Sequence, residues 1–430
     1  MLFLMLGITI FNKKTILKLK FTKRLLRLII LILASQVFVL INPILYLVIE
    51  LYFAPFILII INALLIPLET LINKKYIKKA KKKLTSINPL VIGITGSFGK
   101  TTVKNFIYQM LSNYQVSKSR KSYNTEMGIC KSISLDLKAF DEVYISELGA
   151  TKPKDIEKLT NLLNPTICII TDIGKQHLDS FKTIDNILKT KLEIIKSNKI
   201  EVLIINGDNT YLNEFNYPKD LKVIRVGKDK NFDVYYENEN FGFSETTFDL
   251  SSKKKYHINT KIVGKHNIIN ILISFAACAY LKMDEEEIIS NINNLHLPNN
   301  RLEVKNINNH KIIDNSFNSN TIGFKNNIDY LSLSPDFKIV ITPGIVELKK
   351  ESQQIHDELA KYLIDKVDFV YLIKNKNTYY MEKEFKRQNF TNFKMVDSFK
   401  EAYILSINRK EPSTILIEND LTDYYLNGGI

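Results

Sequence analysis

Only three cysteines occur in 430 residues, Cys130, Cys168 and Cys278, and no two stand at a paired or ligand-like spacing. That argues against a disulfide framework and against a cysteine-held metal ribbon, and it fits a reducing cytoplasm. No internal repeat and no low-complexity linker interrupts the chain. A basic excess is missing too, except at one end. Residues 1–85 hold fourteen Lys/Arg against two acids, Glu50 and Glu69, whereas the rest holds 45 basic and 43 acidic side chains. A nucleic-acid partner would need basic residues spread over the folded domains, so none is expected.

What is present at the N-terminus is apolar as well as basic, a combination that points to a membrane surface. Residues 1–11 are apolar but too short to span a bilayer, which takes about 20 residues. After Lys13, Lys14, Lys18, Lys20, Lys23, Arg24 and Arg27 come two apolar runs, 28–49 and 51–68, and then seven lysines between Lys74 and Lys83. Lysines on both outer sides predict a transmembrane helical hairpin at the inner (cytoplasmic) membrane, with the domains that follow facing the cytoplasm. A cleaved signal peptide fits poorly, because no small-residue cleavage site is evident. A soluble helical domain, a re-entrant hairpin, or one long broken helix stays open as an alternative, given Pro43 and Pro55.

From about Leu90 the pattern changes to short apolar strands alternating with amphipathic helices. Strands are expected over 91–94, 143–146, 167–171 and 202–205, with helices over 153–163 and 183–197 between them. This is the rhythm of a mostly parallel sheet covered on both faces. Residues 232–262 read instead as short antiparallel strands, followed by a helix over 267–281. Beyond 297–300, strands over 311–313, 338–341, 369–373 and 414–417 predict a second, smaller α/β domain. The expected class is α/β, with a P-loop central domain and a Rossmann-like C-terminal domain. The expected domains are 1–85, 86–298 and 299–430.

The central stretch reads V-I-G-I-T-G-S-F-G-K-T-T-V-K over 91–104. A strand runs into a glycine turn, and Lys100, Thr101 and Thr102 then open a helix. Glycines such as Gly96 and Gly99 let backbone N–H groups close round phosphate oxygens, the helix N-terminus adds positive potential, Lys100 reaches the outer phosphates, and a threonine hydroxyl holds Mg²⁺. The strict G-x-x-x-x-G-K-[ST] spacing is not met, because Ile94 stands five before Gly99. A strand–turn–helix joint with a chance lysine is the bland alternative. ATP is the expected ligand. Glu147 and His177 follow two other predicted strands, where open α/β sheets place ligands. Taken alone, each is equally well a solvated loop carboxylate or a helix-capping histidine.

Taken together, the blocks 93–102, Asn124 to Gly128, Glu147 to Ala150, 171–178, Lys191 to Ile194, 264–270 and Arg301 with 314–318 form an ordered series. That series, over roughly 88–425, resembles the Mur ligase family, and within it the branch that joins D-alanyl-D-alanine to a UDP-muramyl tripeptide. The resemblance implies an ATP-dependent, ADP-forming amide ligase of peptidoglycan precursor synthesis that works through an acyl phosphate. By the same resemblance, Lys100 and Thr101 handle the phosphates and a first Mg²⁺, Glu147 and His177 bind a second, and Lys191 is carbamylated. Its rival is an ordinary solvated lysine. Asn124 and Thr125 lie near the acceptor, with a plain turn as the neutral reading. Asn267 and Asn270 share a helix face suited to adenine, a core-facing polar pair being the alternative. Arg301 and Asp314 approach the nucleotide from the C-terminal domain. The implied partners are a nucleotide-sugar-peptide or lipid-linked acceptor and D-alanyl-D-alanine or another amine, with the protein a monomer.

Several departures from that branch bear on substrate identity. Its N-terminal UDP-binding domain is replaced by the apolar segment 1–85. Thr342 to Leu348 stands in place of a leucine-glycine-aspartate block, Ile417 to Asp420 in place of a lysine-glycine-serine stretch, and Asn315 in place of a second aspartate. A related ligase acting on another surface-polymer precursor, or a membrane-anchored nucleotide-binding protein without ligase activity, are the alternatives. Four retained residues (Lys100, Glu147, His177 and Lys191) speak against the latter, which needs no two-metal site.

Overall fold

A computed structural model describes residues 21–35, 43–120, 123–174, 178–298, 301–316, 320–345, 348 and 351–419. The chain divides into two compact units, Met1–Ala80 and Lys81–Ile430.

In the first unit a helix Lys23–Ser35 precedes the long helix Pro43–Ile87, whose last residues belong to the second unit. Arg27 on the first helix pairs with Glu69 on the second. This differs from the hairpin of two bilayer spans that the sequence predicts. Among the described residues no helix is long and apolar enough to cross a membrane, which overturns the expected inner-membrane placement. The physical reason lies in how the apolar residues are divided. The described part of the first apolar run belongs to the helix Lys23–Ser35, whose first turns also carry Lys23, Arg24 and Arg27. The second does not break at Glu50 or at Pro55 and Pro67. It runs on through Glu69 into the lysine-rich stretch, so its ends are not those of the apolar run. The apolar stretch 1–11 lies outside the described residues, as do 36–42 of the first predicted span.

The second unit contains two sheets. In chain order the strands of the first are β1 Leu90–Thr95, β2 Val116–Lys118, β3 Val143–Glu147, β4 Ile167–Ile170, β5 Val202–Asn206, β6 Lys222–Gly227, β7 Val234–Phe241, β8 Thr246–Ser251 and β9 Lys255–Thr260. They lie in the order β2-β3-β1-β4-β5-β6-β7-β8-β9. The strands from β2 to β7 run parallel, and β7, β8 and β9 form an antiparallel meander. The central strands are uninterrupted apolar runs because helices cover both faces. On one face the helices Lys100–Met110 and His266–Tyr280 pack through Val103, Phe106, Ile107, Ile268, Ile271, Leu272 and Phe275.

The second sheet is built from β10 Glu303–Ile307, β11 His310–Asn315, β12 Phe337–Thr342, β13 Phe369–Ile373, β14 Phe393–Val396 and β15 Ser413–Glu418. Its order is β10-β11-β15-β12-β13-β14, parallel except for the β10–β11 hairpin. The α/β class and the parallel character of both sheets are as expected. The strands β2, β6, β10 and β14 have no counterpart in the sequence reading.

Candidate active site

The site sits where β1 ends. Its neighbours on either side are β3 and β4, and the chain crosses between those two strands, which makes the end of β1 a topological switch point. Gly96 and Gly99 turn the chain from β1 into the helix Lys100–Met110 with φ of 142° and 81°, a region in which a Cβ is strained. Neighbouring loops clamp that turn. Ser97 N donates to Asp172 O at 2.8 Å. Ser97 Oγ donates to Gly174 O at 3.1 Å and accepts from Gly174 N at 3.0 Å. On the other side, Thr95 Oγ1 donates to Leu148 O at 3.0 Å.

Lys100 folds back over the turn, donating to Gly96 O at 2.6 Å and Ser97 O at 3.2 Å. Burial, with Arg301 nearby, draws its pKa down to about 8, against an opposing pull from Glu147. Thr101 Oγ1 donates to Glu147 Oε2 at 3.2 Å, so the phosphate loop and the end of β3 meet at one point. Arg301 Nη2 reaches the same hydroxyl at 3.5 Å. Thr102 is buried in the helix beneath the turn.

Lys191 ends the helix Ile184–Leu192 and is 3% exposed. Burial, and after it the nearby Lys100 ammonium, pushes its pKa well below the ordinary lysine value. It is not a solvated lysine. Asn267 and Asn270 are both buried: Asn267 Nδ2 donates to Val263 O at 2.7 Å, and Asn270 Nδ2 to Asn267 Oδ1 at 3.0 Å. A Cβ on Gly99 would lie 2.6 Å from Asn270 Oδ1, which places this amide pair directly under the turn.

Asn124 lies against Gly149, whose N–H donates to Asn124 O at 2.9 Å, and a Cβ on Gly149 would collide with the Asn124 amide. Thr125 caps the helix Glu126–Asp136. Asp314, at the end of β11, is buried and accepts from Ser316 Oγ at 2.8 Å. His177 lies outside the described residues. Of the thirteen other residues expected at the site, Lys100, Thr101, Glu147 and Arg301 come together at the turn, with Gly96 and Gly99 in it and Asn270 against Gly99.

Sequence reasoning missed three residues. Lys104 forms a buried ion pair with Glu147, at 2.6 Å. Its position four residues after Lys100, on the same helix face, was the available signal. Asp172 accepts from Asn209 Nδ2 at 2.5 Å, and burial lifts its pKa to about 6. His266 opens the helix His266–Tyr280 with an exposed edge; desolvation, and after it the nearby Arg301 charge, lowers its pKa to about 4.

A glycine turn at the end of a strand, a lysine folded over it, and a hydroxyl beside a carboxylate have the form of a phosphate-binding turn. Residues 94–278 match the Mur ligase middle domain. The chain is 29% identical over 305 residues to the UDP-N-acetylmuramoyl-tripeptide–D-alanyl-D-alanine ligase of Bacillus subtilis (strain 168), covering 68% of this chain and 64% of that protein. To the ligase of the same name from Borreliella burgdorferi it is 29% identical over 294 residues, covering 66% and 61%. The chain thus spans somewhat under two thirds of these curated relatives. Among solved structures, MurF from Thermotoga maritima in complex with ADP aligns with a TM-score of 0.73 at 24% identity, covering 83% of this chain and 82% of that one. A crystal structure of MurF from Acinetobacter baumannii aligns with 0.75 at 20%, covering 83% and 79%. These likenesses establish a Mur ligase fold.

Proposed function

We propose that this chain is an ATP-dependent, ADP-forming amide ligase that joins D-alanyl-D-alanine to a UDP-muramyl tripeptide. The observation that carries this reading is the Thr101–Glu147 hydrogen bond. It brings a hydroxyl from the phosphate loop and a carboxylate from the next strand together, a pair of hard oxygen donors suited to Mg²⁺. The relatives that share the middle of the chain are named for this reaction.

In the proposed reaction a carboxylate oxygen of the tripeptide attacks the γ-phosphorus and ADP leaves. The incoming amine then attacks the acyl carbon, a proton is lost from nitrogen, and phosphate departs. Bound Mg²⁺ supplies charge neutralisation on the phosphate oxygens and the acyl group. Thr101 and Glu147 would hold it, with His177 completing a second site. Lys100 moves from the loop carbonyls to the outer phosphates. Gly96 and Gly99 leave room for the phosphates, Asn267 and Asn270 support the nucleotide side of the turn, and Asn124 and Thr125 shape the acceptor side. Arg301 and Asp314 approach from the second sheet, so that closure over the nucleotide keeps water from the acyl phosphate.

The deciding experiment measures phosphate release by the purified chain with ATP, Mg²⁺, UDP-muramyl tripeptide and D-alanyl-D-alanine. Turnover is expected. Absence of turnover there, with turnover on a lipid-linked acceptor, assigns a related ligase of another surface polymer. ATP binding without turnover on any acceptor leaves a nucleotide-binding protein.

Two predictions attach to this reading. Arg301→Ala should raise KM for ATP about tenfold, because a charge-assisted hydrogen bond contributes roughly 1.5–3 kcal/mol, with KM for the amine unchanged. Lys191 should be carbamylated: its depressed pKa supplies the neutral amine that reacts with CO₂, and the product replaces an ammonium beside Lys100 with an anion. ¹³C NMR after equilibration with labelled bicarbonate should show one carbamate resonance that Lys191→Ala removes. A spectrum with no such resonance in the unaltered protein refutes it.

A further inference from the structure

The reaction uses Lys100 but leaves unexplained the lysine one helical turn beyond it. Lys104 is 1% exposed, among the most deeply enclosed charges in the chain. Its ammonium stands 2.6 Å from Glu147 Oε1 and donates to the Ser119 carbonyl at 2.9 Å. The other carboxylate oxygen, Oε2, accepts from Thr101. One helix therefore grips the two oxygens of Glu147 with two different residues. Backbone holds the carboxylate's base as well, since Glu147 N donates to Ser119 Oγ at 3.4 Å. Lys100 and Lys118 lie close enough for Glu147 to act on their charges.

We propose that Lys104 is a positioning residue for the metal-binding carboxylate: by holding Oε1 it fixes Glu147 so that Oε2, beside Thr101, is the oxygen presented to the divalent cation. This deepens the reading above and rests on Glu147 being a metal ligand. The physical argument has two parts. A buried carboxylate that keeps its charge needs a partner before any cation arrives, since an uncompensated buried charge is costly. That same partner then repels an arriving cation through a low-dielectric interior, where like charges interact strongly. Lys104 thus trades metal affinity for carboxylate orientation.

The test uses the full chain with Mn²⁺ as probe, in the presence of ADP, read by electron paramagnetic resonance. Lys104→Met, which keeps the length of the side chain, should bind Mn²⁺ about tenfold more tightly while kcat for phosphate release falls about tenfold. Opposite movement of affinity and turnover is the signature. Lys104→Gln, which retains a donor for the Ser119 carbonyl, should move both in the same directions and serves if the methionine variant does not fold. Affinity and kcat both within twofold of the unaltered chain, with only a lower melting temperature, reduce Lys104 to a structural partner and overturn the proposal. Weaker Mn²⁺ binding overturns it too. Glu147→Gln separates the two claims: it should weaken Mn²⁺ binding in the ADP complex about tenfold or more. If it binds Mn²⁺ as before, the metal-ligand reading of Glu147 fails, whatever Lys104 does.

Discussion

Replacement of Lys100 by Met is expected to cut ATP-dependent phosphate release by about a thousandfold, the upper range for losing one preorganised donor to developing charge. The variant keeps the aliphatic stem and removes only the ammonium that now bridges Gly96 O and Ser97 O. The fold should survive, because the turn keeps its clamps to Asp172, Gly174 and Leu148, which do not involve Lys100. Circular dichroism and melting temperature close to the unaltered chain, together with lost turnover, are the expected pair of results. Full activity in Lys100→Met removes the phosphate-transfer chemistry altogether. A pH dependence accompanies it. Lys100 is held at about 8 against an ordinary 10.5, and a bound triphosphate favours the ammonium. Nucleotide affinity should therefore fall as pH rises through about 8, by up to roughly tenfold per unit. Calorimetry in buffers of different ionisation enthalpy should show a proton taken up with the nucleotide near pH 8.5. For folding the sign is opposite: between about 8 and 10.5 the unfolded chain binds more protons at this lysine, so its contribution to stability rises with pH across that window.

Gly96→Ala should be as damaging by a different route. A Cβ there would sit 2.1 Å from Thr171 Oγ1 and 3.0 Å from the Asp172 backbone nitrogen, on a residue with φ of 142°. The side chain it strikes is not free to move, since Thr171 Oγ1 donates to the carbonyls of Thr95 and Phe98. Backbone strain of this kind costs about 1–3 kcal/mol, and relief means displacing the turn from β4. Nucleotide binding should be lost and the melting temperature lowered. Adding Thr171→Ala to Gly96→Ala removes the collision but not the backbone strain, so partial recovery of stability is expected. Complete recovery would show that the backbone angle costs nothing here. At Gly93 the nearest atoms to an added Cβ are Pro165 Cβ and Cγ, each at 3.0 Å, so Gly93→Ala should be milder.

Much of this site was legible in the chain because its signals are local. The turn after β1 announces itself through glycine, lysine and threonine spacing, and the strands β1, β3, β4 and β5 are unbroken apolar runs that only a sheet covered on both faces can bury. The meander of β7, β8 and β9 was also readable from its alternation. Other features were not, for physical reasons. Strands β2 and β14 are three and four residues long, too short to carry a period. The face of a helical residue is set by tertiary packing: Lys191 looks like a solvated lysine in isolation, and only the fold buries it. Asn267 and Asn270 show the same limit, since their i, i+3 spacing says they share a face but not which way it points. At the N-terminus, hydropathy marked an apolar stretch correctly but gave no information about where its helices begin and end.

The order of the first sheet has one more consequence. The hairpin between β8 and β9, closed by Ser252 N donating to Lys254 O at 2.9 Å, is separated from β1 by four intervening strands. A tag, fluorophore or grafted loop inserted there would report on the molecule without crowding its chemistry, which makes that far corner a natural handle for immobilising the protein.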